Sequence, residues 1–211
     1  MLLHPLLGGH DVGAVIRNPD QSQDVTEAGA TPVVADVGSM DTDEMTTLLE
    51  GYDLVIWSAG AGGGDPERTV AVDRDAAIRT MDAAERAGVG RYLMVSYLGA
   101  REDHGVPEDN AFFTYAESKA AADAHLRASG LDWTIIAPGA LSLDEPTGRI
   151  EVLGDGTGDV QTPEGRQVSR ADVAAVLAAA VDRTDLNGRM IEFLNGDTPI
   201  DEALDAVART A

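Results

Sequence analysis

Six short apolar runs recur along the chain, separated by stretches of helical periodicity. They are Val12–Ile16, Pro32–Ala35, Asp53–Trp57, Tyr92–Val95, Trp133–Ile136 and Met190–Leu194. Most are continuous rather than alternating and rich in β-branched residues, as strands buried on both faces are. Between them lie helix signals. Asp65-Pro66 places a cap before a proline at the first helical position, and Gly88 supplies a stop. Ser169-Arg170-Ala171-Asp172 and Thr198-Pro199-Ile200-Asp201 resemble capping boxes with Asp in place of Glu. After the first, Val173, Val176, Leu177, Ala180 and Val181 recur at helical spacing. Strands alternating with helices imply right-handed crossovers and a doubly wound parallel α/β sheet, here as one domain over 1–211. The stretch 141–168, rich in Gly, Pro, Asp and Thr, breaks the rhythm. It is expected to form loops and a short extra strand on the substrate side.

Composition narrows the function classes. With no cysteine among 211 residues, disulfides, thiolate metal sites and a cysteine nucleophile are excluded. The net charge of −22 repels phosphate backbones and anionic lipid. A small-molecule substrate is therefore expected, with no nucleic-acid and no membrane partner; oligomeric state is not readable. The acid is spread along the chain, and Lys119 is the only lysine among 15 basic residues. That pattern predicts a halophilic surface, since the Debye length falls to ~3 Å at 1 M salt. No apolar run approaches the ~20 residues of a membrane span, and the start lacks the features of a secretory signal, so a cytoplasmic protein is expected. His4, His10, His104 and His125 lack metal-ligand spacing, and no metal site is expected.

Tyr115 and Lys119 stand at i and i+4, on one face of a helical stretch that ends near Gly130. A free phenol has a pKa of ~10, and a nearby ammonium lowers it. Such a pair suits exchange of a hydroxyl proton while hydride moves elsewhere. Arginine does not readily replace a compact ammonium there, which gives the lone lysine weight. Ser96 ends the fourth run, where it opens into the ligand crevice of a parallel sheet or bonds its own loop. Ser58-Ala59-Gly60, opening a glycine-rich stretch, either lets a cofactor approach the backbone or forms a flexible loop. Arg17-Asn18 ends the first run. An arginine there suits a ribose 2′-phosphate, which favours NADP over NAD. Asp36-Val37 ends the next run, where side chains border the adenine.

Together these residues resemble the short-chain dehydrogenase/reductase superfamily, in the atypical branch that holds NmrA-like, flavin-reductase-like and epimerase/dehydratase-like proteins. The resemblance rests on Ser58-Ala59-Gly60, Val95-Ser96, Tyr115-x-x-x-Lys119, Trp133–Gly139, Ser169–Ala174 and Asn195–Ile200. It implies a Rossmann-like fold, with Pro138-Gly139 bordering the nicotinamide and Lys119 also holding the ribose. One departure stands out: the family's first strand and its G-x-x-G-x-x-G turn are missing. Residues 2–12 look like the later part of the first helix running into the second strand, with Gly8-Gly9 closing that helix. In a 3-2-1-4-5-6 sheet the first strand is central, so its loss is expected to leave the second and fourth strands without their shared neighbour. An internal start at Met1, with a longer natural chain, is the expected explanation. The implied function is an NADP-dependent oxidoreductase or epimerase/dehydratase, with Tyr115 as acid–base. The alternative is a non-catalytic NADP-sensing module.

Overall fold

The computed structural model describes residues 8–62, 65–158 and 166–210. The expected end of a first helix over 2–7 lies outside them. The chain runs β1 (Gly13–Ile16), α1 (Ser22–Glu27), β2 (Thr31–Val34), α2 (Thr42–Leu49) and β3 (Leu54–Trp57). Then α3 (Pro66–Thr69) continues through a π-helical segment, Val70–Ala76, into α4 (Ala77–Ala87), which Gly88 closes in the left-handed region at φ 76°. There follow β4 (Arg91–Val95), α5 (Phe113–Ala128), β5 (Asp132–Pro138), β6 (Leu141–Ser142), β7 (Arg149–Gly154) and β8 (Val168–Ser169). The chain ends with α6 (Arg170–Ala180), β9 (Arg189–Asn195), β10 (Thr198–Pro199) and α7 (Ile200–Arg209).

The main sheet has the order β10-β7-β9-β5-β4-β3. Its β3, β4, β5 and β9 are parallel, while β7 and β10 add an antiparallel edge. One face carries Met45, Met81, Leu126, Tyr92, Met94 and Ile135. The other carries Leu93, Ile136, Ile191 and Phe193 against Val176 and Leu177 of α6 and Leu204 of α7. Tyr92–Met94 and Ile135–Ala137 are therefore buried on both sides, which is why those runs read as continuous.

Strands β1 and β2 pair in parallel with each other, Val15 opposite Val33, and among the described residues with no other strand. The sheet is thus divided between β1 and β3, where the resemblance places the first strand. The division leaves Val15 45% and Val34 55% exposed. Stretch 141–168 holds three strand segments, where loops and one were expected. The box expected at Thr198 does not form: Thr198-Pro199 pair with Arg149-Ile150, and no side chain caps α7. At Ser169 only the cap half of the box forms: its hydroxyl accepts the Asp172 N–H at 2.9 Å, while the Asp172 carboxylate takes the Ser169 hydroxyl and not its backbone N–H.

Candidate functional site

Parallel strands release their chains at one edge, and the residues there face a common crevice. Beyond β3 comes Ser58-Ala59-Gly60-Ala61. The Ala61 N–H donates to Asp73 Oδ2 at 3.0 Å, and a Cβ on Gly60 would sit 3.0 Å from Asp73 Oδ1. Glycine lets the loop lie on that carboxylate. Asp73 belongs to the π-helical segment, whose wider turn carries Val72, Asp73 and Ala76 inward.

Beyond β4, the Ser96 N–H donates to Ile136 O and the Leu98 N–H to Pro138 O, so the chain keeps to β5 for one further turn of the pleat. Beyond β5, Gly139 donates its N–H to Phe193 O at 2.9 Å, and any Cβ there would collide with the Leu194 side chain. Pro138-Gly139 is thereby held as a bare stretch of backbone.

Helix α5 crosses this edge with Tyr115, Lys119 and Asp123 one turn apart on its sheet-facing side. Lys119 and Asp123 are each 1% exposed. Lys119 Nζ donates to Val95 O at 2.7 Å and touches Met94 Sδ at 3.4 Å. Ser96 Oγ donates to Asp123 Oδ2, and Asp123 Oδ1 is buried without a partner. Tyr115 packs with Tyr97 and Phe112 in an aromatic trio, ring centroids 5.1–5.6 Å apart. Phe112 leaves 43% of its surface in solvent.

The electrostatics differ from the expectation. Tyr115 is pushed above the usual phenol range, first by burial and then by the charges of Asp73 and Asp123. The expected lowering by Lys119 is outweighed, because its ammonium is spent on Val95 and two buried carboxylates act on the phenol. Burial pulls Lys119 downward, opposed by Asp123 and Asp73. Burial also raises Asp123 and Asp73, opposed chiefly by Lys119 and, for Asp73, the Ala61 N–H. Tyr97 rises to about 12, first by burial and then by Asp123.

The sequence-derived candidates divide into two groups. Ser58, Ala59, Gly60, Ser96, Tyr115, Lys119, Pro138 and Gly139 gather at the carboxyl ends of β3, β4 and β5. Arg17, Asn18, Asp36 and Val37 lie at the same ends of the separate β1–β2 pair. Asn18 is occupied locally, its Oδ1 accepting the Asp20 N–H, while Arg17 is exposed. Val37 packs against the core. A groove of about 360 Å³ lies beside the second group, lined by Asp36, Gly38 and Ser39 on one side and Asp65, Glu67, Arg68 and Val72 on the other. Its mixed lining fits the adenosine end of a dinucleotide, and the bare backbone at Gly60 and Gly139 fits a flat ring and its ribose.

Asp73, Asp123 and Tyr97 were not singled out from sequence. Asp123 repeats the four-residue step that joins Tyr115 to Lys119, a readable signal. Loop 99–110 is tethered. His104 accepts the Val106 N–H on Nδ1 and bonds Glu117 Oε1 through Nε2 at 2.8 Å. The other described histidines meet acids too, His125 with Asp82 and His10 with Asp182.

A family model described as NAD(P)H-binding matches residues 2–184. The uncharacterized sugar epimerase YhfK of Bacillus subtilis (strain 168) is 35% identical over 196 residues, 92% of this chain and 87% of that protein. A solved structure named "Putative NAD-dependent epimerase/dehydratase from Bacillus halodurans" is 34% identical with a TM-score of 0.86, covering 97% of this chain and 92% of its own. The oxidoreductase ylbE from Lactococcus lactis is 28% identical with a TM-score of 0.80, covering 99% and 90%. Among the described residues no helix is long and apolar enough to cross a membrane. The chain belongs to the NAD(P)H-binding family, as an atypical short-chain dehydrogenase/reductase-like protein of Rossmann-like fold.

Proposed function

We propose that this protein is an NADP-dependent oxidoreductase or epimerase/dehydratase acting on a small molecule in the cytoplasm, with Tyr115 as its acid–base. The observation that carries the reading is the single face of α5. It brings Tyr115 and Lys119 to the carboxyl ends of β3–β5, beside Ser96 and the backbone of Gly60 and Gly139. Asp36 and Val37 would border the adenine, Ser58–Gly60 the central part, and Pro138-Gly139 the nicotinamide. When bound, the coenzyme supplies or accepts the hydride. The phenol, raised by burial, keeps its proton at neutral pH and is set to donate it to a developing alkoxide. Lys119 fixes the carboxyl end of β4 through Val95 O. The other two members of the aromatic trio pack against the phenol ring.

Arg17 supports NADP over NAD. It is exposed at the carboxyl end of β1, beside Ala35 and Asp36 of the neighbouring strand. The similarity to YhfK makes sugars the first substrates to try. The test is titration with NADP and NAD, then consumption of NADPH against sugar nucleotides, quinones and flavins. Tyr115→Phe is expected to bind coenzyme as the parent does and to lose turnover by ~10²–10⁴-fold. Equal turnover removes Tyr115 from the mechanism. One observation favours the second reading, a non-catalytic NADP sensor: Lys119 is engaged by main chain, not by the phenol. Binding without consumption on every substrate would select it.

A further inference from the structure

A serine hydroxyl has one proton to give and two lone pairs to offer. The Ser96 proton is committed to Asp123 Oδ2. Toward any other group, Ser96 Oγ is left as an acceptor. It therefore does not stabilise a substrate carbonyl in this state; it receives a hydrogen bond from a hydroxyl.

Asp123 is the deeper half of the pair. It lies in the interior, and its Oδ1 has no partner among the described residues. Its charge is balanced in part by Lys119, yet the hydrogen bonds of that ammonium go to Val95 O and Met94 Sδ and not to the carboxylate. The other groups facing Asp123 are Arg127 on α5, one turn onward, and the phenols of Tyr97 and Tyr115, which feel its charge. Asp73, from the π-helical segment, acts on the same Lys119 and Tyr115. A carboxyl so placed, with one oxygen on a hydroxyl and the other open, has the connections of a proton carrier.

We propose that Asp123 and Ser96 form a proton relay. Asp123 stores the proton, and Ser96 exchanges it with a substrate alcohol at the outer end. In the forward step the outer O–H breaks and its proton forms a new O–H on Ser96 Oγ. The proton that Ser96 held passes to Asp123 Oδ2. The outer group becomes alkoxide, and Asp123 becomes a neutral acid. Two O–H bonds break, two form, and no electrons are transferred. Burial raises this carboxyl, which makes it a better store for a proton than an exposed one. The inference rests on the proposed enzymatic function and deepens it. Reduction of a carbonyl needs one acid, whereas epimerisation or dehydration needs a proton taken at one point and given at another. With Tyr115 as one group and the relay as the second, the site fits a hydroxyl-bearing substrate of the latter reactions.

The test needs neither substrate nor coenzyme. Infrared difference titration of the full chain follows the protonated-carboxyl band with pH. The band is expected to persist above the ordinary carboxyl range of ~4, and Asp123→Asn should remove a distinct component of it. Asp73→Asn, which takes away the other raised carboxyl, should leave that component in place. Ser96→Ala, by deleting a hydrogen bond to the charged form, should move its midpoint up by ~1–2 pH units. Ser96→Thr keeps the hydroxyl and should restore it. Should Asp123→Asn not fold, Ser96→Ala and Ser96→Thr carry the test alone. A component indifferent to Ser96→Ala, or the absence of any component belonging to Asp123, overturns the relay. NADPH consumption that persists in that event leaves the proposed function standing.

Discussion

Asp172 provides a sharp test of how the substrate-side segment is held. Its carboxylate is fully buried at the start of α6. It accepts the Gly148 N–H at 2.7 Å, the Thr147 N–H at 3.0 Å and the Ser169 hydroxyl at 2.9 Å. Asp172→Ala removes the acceptor of all three bonds. A hydrogen bond to a charged group contributes ~1.5–3 kcal/mol, but a donor that recovers water loses less. Thr147 and Gly148 are exposed, so their N–H groups rehydrate and each costs ~1 kcal/mol. Ser169 is fully buried, and its stranded hydroxyl costs ~1–3 kcal/mol. The sum is about 3–5 kcal/mol. At ~2–4 °C per kcal/mol for a chain of this length, Tm should fall by about 10 °C or somewhat more. Thermal and urea unfolding in ~1 M salt measure it. The Ser169 hydroxyl still caps the helix through the residue-172 N–H, so helical content should be preserved. A loss below ~1 kcal/mol would refute the reasoning and show that the carboxylate does not hold residues 147–148.

Arg17→Asp should lower the preference for NADP over NAD by ~10–100-fold, the equivalent of one charge-assisted hydrogen bond; an unchanged ratio in binding titrations removes Arg17 from coenzyme choice. Raising salt from ~0.1 to ~1 M should raise Tm, because self-repulsion of a −22 chain is screened as the Debye length falls from ~10 to ~3 Å. A flat or falling Tm refutes adaptation to high salt. The Tyr97 phenol ionises at about 12 in the fold against the ordinary 10.0 when unfolded. With the folded value the higher, stability is intact below pH 10 and falls as pH rises from 10 toward 12. Tyr97→Phe should flatten part of that fall, and an identical slope would remove Tyr97 as a cause.

The strands were legible where burial on both faces made them so. Tyr92–Val95 and Trp133–Ile136 lie inside β4 and β5, and the first run coincides with β1 apart from Val12. Strand β7 was legible only as an unplaced short strand within 141–168, for the converse reason. In Arg149–Gly154, Arg149 and Glu151 are exposed and Ile150 is buried, so the segment alternates, and it sits in a stretch whose glycines and prolines suggest loops. Thr198-Pro199 carried the letters of a helix cap but was claimed by β7; pairing across the sheet overrode a local signal. The π-helical turn has no local signature at all. It is set by what Asp73 meets, namely the Ala61 N–H, twelve residues away.

The same competition explains the site. Tyr115 and Lys119 were visible because a lone lysine stands out in an arginine-using chain. Asp73 and Asp123 were hidden because they are two of 37 acids, most of which belong to a solvated surface. Composition makes acid the background, and only packing separates the buried carboxylates from the rest. That separation reverses the sign of the electrostatics. One ammonium beside a phenol favours the phenolate; a desolvated phenol facing two carboxylates favours the neutral form, and here the second arrangement is the one built. On the proposed function, Tyr115 thus begins as a proton donor, not a base. Any chemistry that needs a base at the start must find it elsewhere in the crevice, and the carboxylate that already holds the Ser96 hydroxyl is a buried group there with that capacity.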